Sequence, residues 1–211
     1  LGDIFEIGEH RLLCGDSTDS DQVAKLMKGS LSDMIFTDPP YNVDYGANKK
    51  HPSWKIRSIE NDKQTPKEWQ NFCKALFSNF KLFNKGDIYM WGASGPEGML
   101  MRLWLIESGA HWSATIIWKK QQLVLSPAKY QRMYEPCFYG WFDNGTHKWY
   151  SDRKQESVWI AKSKKEEGHT TPKPIEIITK ALKTNTAKAA SAKPKSEHSI
   201  LLMQLKLLWP M

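Results

Sequence analysis

The chain has 211 residues, and its 30 Lys and Arg outnumber 23 Asp and Glu for a formal net charge of +7. That size allows one domain with a substantial core and a short appendage, and the basic balance suits a polyanion such as DNA without requiring one. No apolar run approaches the roughly 20 residues of a membrane span.

The nearest candidate for a span, Ile200 to Trp209, is broken by Gln204 and Lys206. Three cysteines (Cys14, Cys73, Cys137) are odd in number and widely spaced, which fits neither a metal pattern nor a disulfide framework and points to a reducing cytoplasm. Leu1 in place of Met suggests a piece of something longer.

Leu1 to Asp19 reads as a short strand or hairpin pair ending in Cys14-Gly15-Asp16-Ser17-Thr18, with Ser17 or Asp19 as cap of a helix from about Ser20 to Lys28. On its own, Asp16 is as well explained as a turn or cap residue. An apolar strand follows (Met34, Ile35, Phe36) and runs into Asp38-Pro39-Pro40-Tyr41. Each proline lacks an N–H and fixes its own φ, so the loop is stiff and its carbonyls owe nothing to the sheet. Asp38 and the Pro39 carbonyl side by side form a double acceptor suited to an NH2 group, and Tyr41 offers a face for a stacked heterocycle. Such a grip would pull hydrogens of a nucleobase amine out of plane and localise its lone pair for attack, once the base is flipped out of a duplex. The plainer alternative is a Pro-Pro turn with Asp38 as a helix cap.

A long polar loop runs from Asn42 to about Thr65. Asn48, Lys49, Lys50 and Lys55 could reach DNA phosphates or be ordinary solvated charges. Pro66 to Phe83 carries apolar residues at helical spacing, with Pro66 near its start and Gly86 past its end as boundary signals. Asp87 to Trp91 is a buried strand, Pro96 to Ser108 a helix closed by Gly109, and His111 to Trp118 a strand. This alternation predicts an α/β sheet with helices on both faces.

Lys119 to Gln155 interleaves basic and aromatic residues around a strand from Tyr134 to Trp141 and a turn at Asp143-Asn144-Gly145. Arg132, Lys148, Arg153 and Lys154 make it a candidate DNA-facing surface, against the alternative of a solvated hairpin with buried aromatics. Ser157 to Ile160 is a strand. His169-Thr170-Thr171-Pro172-Lys173-Pro174 then leads a helix carrying Ile175, Ile177, Ile178 and Leu182, with Thr170 or Thr171 as cap.

Asp38-Pro39-Pro40-Tyr41 resembles the catalytic motif of the amino-group DNA methyltransferases, which methylate adenine N6 or cytosine N4 with S-adenosylmethionine. The order of elements resembles their permuted beta class. The resemblance implies an incomplete Rossmann-like methyltransferase sheet, with Asp38, Pro39, Pro40 and Tyr41 as catalytic residues. It implies Asp16 and Ser17 on the adenosine side of the donor, and His169, Thr170, Thr171 and Lys173 on the methionine side. It further implies Asn48, Lys49, Lys50, Arg132, Lys148, Arg153 and Lys154 on double-stranded DNA, no metal, no membrane, and a homodimer as an open possibility. Asp at position 38 favours adenine N6, with cytosine N4 as the alternative; enzymes acting on RNA or protein typically carry Asn there.

The resemblance runs to about Thr184. A strand and a glycine-rich loop should come next, but residues 185–211 are a Lys- and Ala-rich stretch with an apolar end and no glycine. The expectation is a non-family tail, disordered or frameshifted, that leaves a sheet edge bare. A non-catalytic DNA-binding fragment is therefore the second reading.

Overall fold

The computed structural model of the chain describes residues 2–8, 10–44, 62–124, 129–143, 148–162, 173–185 and 200–203. It begins with an antiparallel hairpin of β1 (Asp3–Ile7) and β2 (His10–Cys14). Of the two expected caps, Asp19 starts α1 (Ser20–Met27): its carboxylate accepts from the backbone N–H of Asp21 and Gln22.

The remaining elements are β3 (Ser32–Thr37), α2 (Pro66–Phe83), β4 (Asn84–Trp91), α3 (Pro96–Glu107), β5 (Ala110–Val124), β6 (Arg132–Phe142), β7 (Val158–Ile160), α4 (Ile175–Asn185) and β8 (Ile200–Met203). The sheet order is β7-β5-β6-β4-β3-β8. β3 runs parallel to β4 and β8, β6 lies antiparallel between β4 and β5, and β7 is parallel to β5.

Three expectations change. Gly86 does not close α2; it lies inside β4, where a Cβ would fall 1.8 Å from the Asp33 carbonyl oxygen of β3. α2 instead begins with a capping box between Thr65 and Glu68 and passes into the strand at Asn84. The expected strand Tyr134–Trp141 is present, but it lies inside the sheet between β4 and β5 and not on a DNA-facing surface, with Phe138 and Tyr139 buried. Finally, the outer edge of β3 is not bare, because Ile200–Met203 pairs with Met34–Thr37 and takes up its peptide groups. Gly109, at φ +100°, ends α3 as the sequence predicts.

The period-two alternation of the strands divides the core into two layers. Ile35, Ile88, Met90 and Phe138 face α1, α2 and α3 and pack on Val23, Trp69, Leu76, Phe77, Phe80 and Leu105. Met34, Phe36, Tyr89, Trp91, Ile116, Trp118, Cys137 and Tyr139 face the other way, toward Ile177 and Ala181 of α4. Helices thus cover both faces, and the strands read as near-continuous apolar runs for that reason.

Candidate active site

The same alternation builds the site. Asp38 follows Met34 and Phe36 on the α4 side of β3; Glu135 precedes Cys137 on β6, and Lys120 follows Trp118 on β5, with the same parity. All three therefore emerge on one face, one step beyond a floor of Trp91 and Trp118. Lys173 enters from above, at the lead into α4.

Lys173 Nζ lies 2.6 Å from Asp38 Oδ2 and 3.0 Å from Glu135 Oε2, and Lys120 Nζ lies 2.5 Å from Glu135 Oε1. The Tyr41 hydroxyl donates to Asp38 Oδ1. Both carboxylate oxygens of Asp38 are thus engaged. Lys173 is the most enclosed member, with only 6% of its side chain exposed, and it stands 5.5 Å from the Trp91 ring centre and 5.9 Å from that of Tyr41.

Burial shapes the charges here. It raises the Tyr41 phenol well above its ordinary value, and the neighbouring Asp38 adds to the rise. Burial alone would lower the Lys173 ammonium, but Asp38 and Glu135 outweigh it and hold the group above its usual value. For Glu135 burial acts upward, and Lys173 with Lys120 overrides it, holding the carboxyl below the usual range. The site is a charge-paired chain of Tyr41, Asp38, Lys173, Glu135 and Lys120.

Its loop is pinned at the neck. Buried Asp62 accepts from the backbone N–H of Tyr41 and Val43, each at 3.2 Å, and Asn42 exchanges hydrogen bonds with the backbone of Gln64. These contacts hold Asn42 and Asp44 in the left-handed region, at φ 56° and 48°. Pro39 and Pro40 are buried. The stiff loop expected from sequence is present, and of the expected double acceptor the Asp38 carboxylate already has a partner on each oxygen. Tyr41 folds back onto one Asp38 oxygen, and an ammonium drawn in by two acids occupies the other.

The other expected residues separate. Asp16 is exposed and uses Oδ1 for the backbone N–H and hydroxyl of Thr18, while the buried Ser17 Oγ has no hydrogen-bond partner. An orphaned hydroxyl beside an open carboxylate fits the polar edge of an adenosine, so the adenosine half of S-adenosylmethionine is compatible with this turn. Lys173, expected on the methionine side, pairs with both Asp38 and Glu135. His169, Thr170 and Thr171 lie outside the described residues, as do Asn48, Lys49 and Lys50.

Of the DNA candidates, Arg132 is exposed on the β5–β6 arm that extends past Glu135, at the Asp38 end of the sheet. Lys148, Arg153 and Lys154 are exposed at the opposite end, where the Tyr150 N–H bonds the Thr184 carbonyl at 2.9 Å. Six strand residues separate Glu135 from Trp141 there, about 20 Å. An open groove of about 340 Å³ lies at that far end, lined by Tyr139, Trp141, Trp149 and Arg153 among others.

The DNA methylase family model for N6 and N4 methyltransferases matches residues 32–191, from the start of β3 past the end of α4. The chain belongs to that DNA methylase family. The matched span takes in Asp38, Glu135 and Lys173, and the family uses S-adenosylmethionine. Among solved structures the chain is similar to M1.HpyAVI in complex with SAM, at 18% identity and a TM-score of 0.53, covering 82% of this chain and 75% of the other. A second M1.HpyAVI structure is similar at 16% identity and a TM-score of 0.52, covering 82% and 73%. At such identities the likeness shows a shared fold, here an incomplete Rossmann-like sheet. Comparison with curated proteins gave no match. No described helix is long and apolar enough to cross a membrane, and among the described residues no cluster of His, Cys, Asp and Glu could hold a metal.

Sequence reasoning missed Glu135 and Asp62. Glu135 had a signal, an acid at the head of the otherwise apolar run Pro136-Cys137-Phe138-Tyr139. Asp62 had none, since it lies in polar sequence after a long loop.

Proposed function

We propose that the chain transfers a methyl group from S-adenosylmethionine to the N6 amine of adenine in double-stranded DNA. The observation that carries this reading is Asp38, held at the end of β3 between the Tyr41 hydroxyl and the Lys173 ammonium above an aromatic floor. Asp38 accepts a hydrogen of the amine and orients its lone pair; buried Pro39 and Pro40 keep the acceptor rigid; Tyr41 supplies the ring against which the base rests. Asp16 and Ser17 hold the adenosine portion of the donor. When bound, the donor supplies an electrophilic methyl carried on sulfur. Arg132, with Lys148, Arg153 and Lys154 further off, takes DNA phosphates.

The test is tritium transfer from labelled donor into DNA, followed by nucleoside analysis. N6-methyladenine is the expected product, and N4-methylcytosine would replace this reading with its relative. The second reading, a DNA-binding chain without transfer, is favoured by one observation: each Asp38 oxygen already has a partner. Calorimetry separates the two: donor binding supports the enzyme, and DNA binding without donor binding supports the fragment.

A further inference from the structure

An incoming amine needs an oxygen of Asp38, and each of the two already accepts a hydrogen bond. Lys173 and Tyr41 are the two occupants. The Lys173 ammonium has somewhere else to go. Glu135 Oε2 is 3.0 Å from Nζ, so the ammonium is already within pairing reach of a second carboxylate. A small movement of Nζ from Asp38 toward Glu135 would tighten that pair while freeing Oδ2. The exchange keeps the ammonium paired throughout, which matters because a buried unpaired charge is costly.

Glu135 is built to receive it. The residue sits on β6, in the middle of the sheet, and Lys120 holds its other oxygen at 2.5 Å. Lys120 is itself steadied 5.0 Å over the Trp118 ring. Neither neighbour belongs to the loop that carries Asp38, so Glu135 stays in place while the loop responds to a base.

We propose that Glu135 is a positioning residue of the methyl-transfer site: it is the second seat of the Lys173 ammonium, taking it over when an amino group claims Asp38. The inference rests on the reading of Asp38 as the amine's acceptor. Lys173 then acts as a placeholder that keeps the acid paired in the absence of substrate.

The test reads Lys173 directly, by nitrogen-15 NMR of lysine ammonium groups in the whole chain, with the signal identified by its loss in Lys173→Arg. Solvated ammonium protons exchange too fast to be seen, and an enclosed, paired one persists. Asp38→Asn is expected to keep a protected, shifted Lys173 signal, because Glu135 takes the charge; adding Glu135→Gln should abolish it. Loss of the signal in Asp38→Asn alone would overturn the proposal. In labelled-methyl assays Glu135→Gln should slow single-turnover transfer by about tenfold to a hundredfold with DNA affinity within twofold, and Glu135→Asp should recover part of the rate. An unchanged rate in Glu135→Gln overturns the proposal as well.

If Glu135→Gln fails to fold, Lys120→Met releases the carboxylate instead, and an unmoved Lys173 signal in that variant counts against the second seat. An unsubstituted chain that transfers no methyl would sink the proposed function, while the spectra alone would still decide where the ammonium sits.

Discussion

The two ends of the α4 face are both polar, and they are built differently. At the far end, Asn185 Nδ2 ties α4 to the sheet by donating to Tyr89 OH at 2.6 Å, and it also donates to the Ala181 carbonyl at 3.0 Å, while Tyr139 OH links β6 to β4 by donating to Asp87 Oδ2 at 2.9 Å. Burial pushes both phenols, Tyr89 and Tyr139, above their ordinary values, so they remain neutral donors. At the Asp38 end the contacts are ion pairs, with two acids sharing one enclosed lysine. Directed bonds from phenol and amide groups hold one arrangement, whereas a cation between two carboxylates has two seats.

The largest expected effect falls on the charged end. Asp38→Ala should lower methyl transfer by more than about a hundredfold while DNA affinity, which phosphate contacts dominate, changes less than twofold. Tritium incorporation and filter binding measure the two separately, and retained transfer would remove Asp38 from its assigned role.

Lys173→Met comes next, since it leaves Asp38 without its cation and Glu135 with Lys120 alone. We expect about 3 kcal/mol of lost stability at neutral pH by urea denaturation. The pH dependence follows from the directions of the shifts. Glu135 is depressed in the folded state, so its contribution is present above its ordinary 4.5 and fades as pH falls through the lower folded value. Lys173 is raised, so its contribution is complete below its ordinary 10.5 and is lost as pH rises through the higher folded value. The difference between wild type and Lys173→Met should therefore be greatest between these limits and shrink on acidification.

At the far end, Tyr139→Phe should cost about 1–3 kcal/mol by removing one hydrogen bond to the buried Asp87, with transfer unaffected. A comparable loss of transfer there would erase the distinction between the two ends. The smallest effect concerns DNA. Arg132→Ala should weaken binding and reduce the salt slope by about one, and Arg153→Ala, about 20 Å along the strands, should do less. The reverse ranking would place the duplex over the far groove.

Much of this was open to reading from local pattern. Helix α2 from Pro66 to Phe83 was legible because a capping residue, an N-terminal proline and a 3.6-residue stripe agree within eighteen positions. Gly86 misled the same logic: a glycine after a helix signals a cap, but this one serves the close approach of β3, fifty residues earlier in the chain. The aromatics of Tyr134–Trp141 misled it too, since a basic-aromatic mixture reads as a surface until the neighbouring strands are known.

By itself the sequence determined the strand, the proline-stiffened acidic loop, the order of helices and strands, and hence the family, because each depends on residues within a few positions of one another. Tertiary structure alone decided that Glu135 joins the site and that Lys173 pairs directly with Asp38. The Lys173–Asp38 contact spans 135 positions of sequence and depends on which strand neighbours which. Side-chain alternation sets the face a residue takes; only the sheet order sets its company.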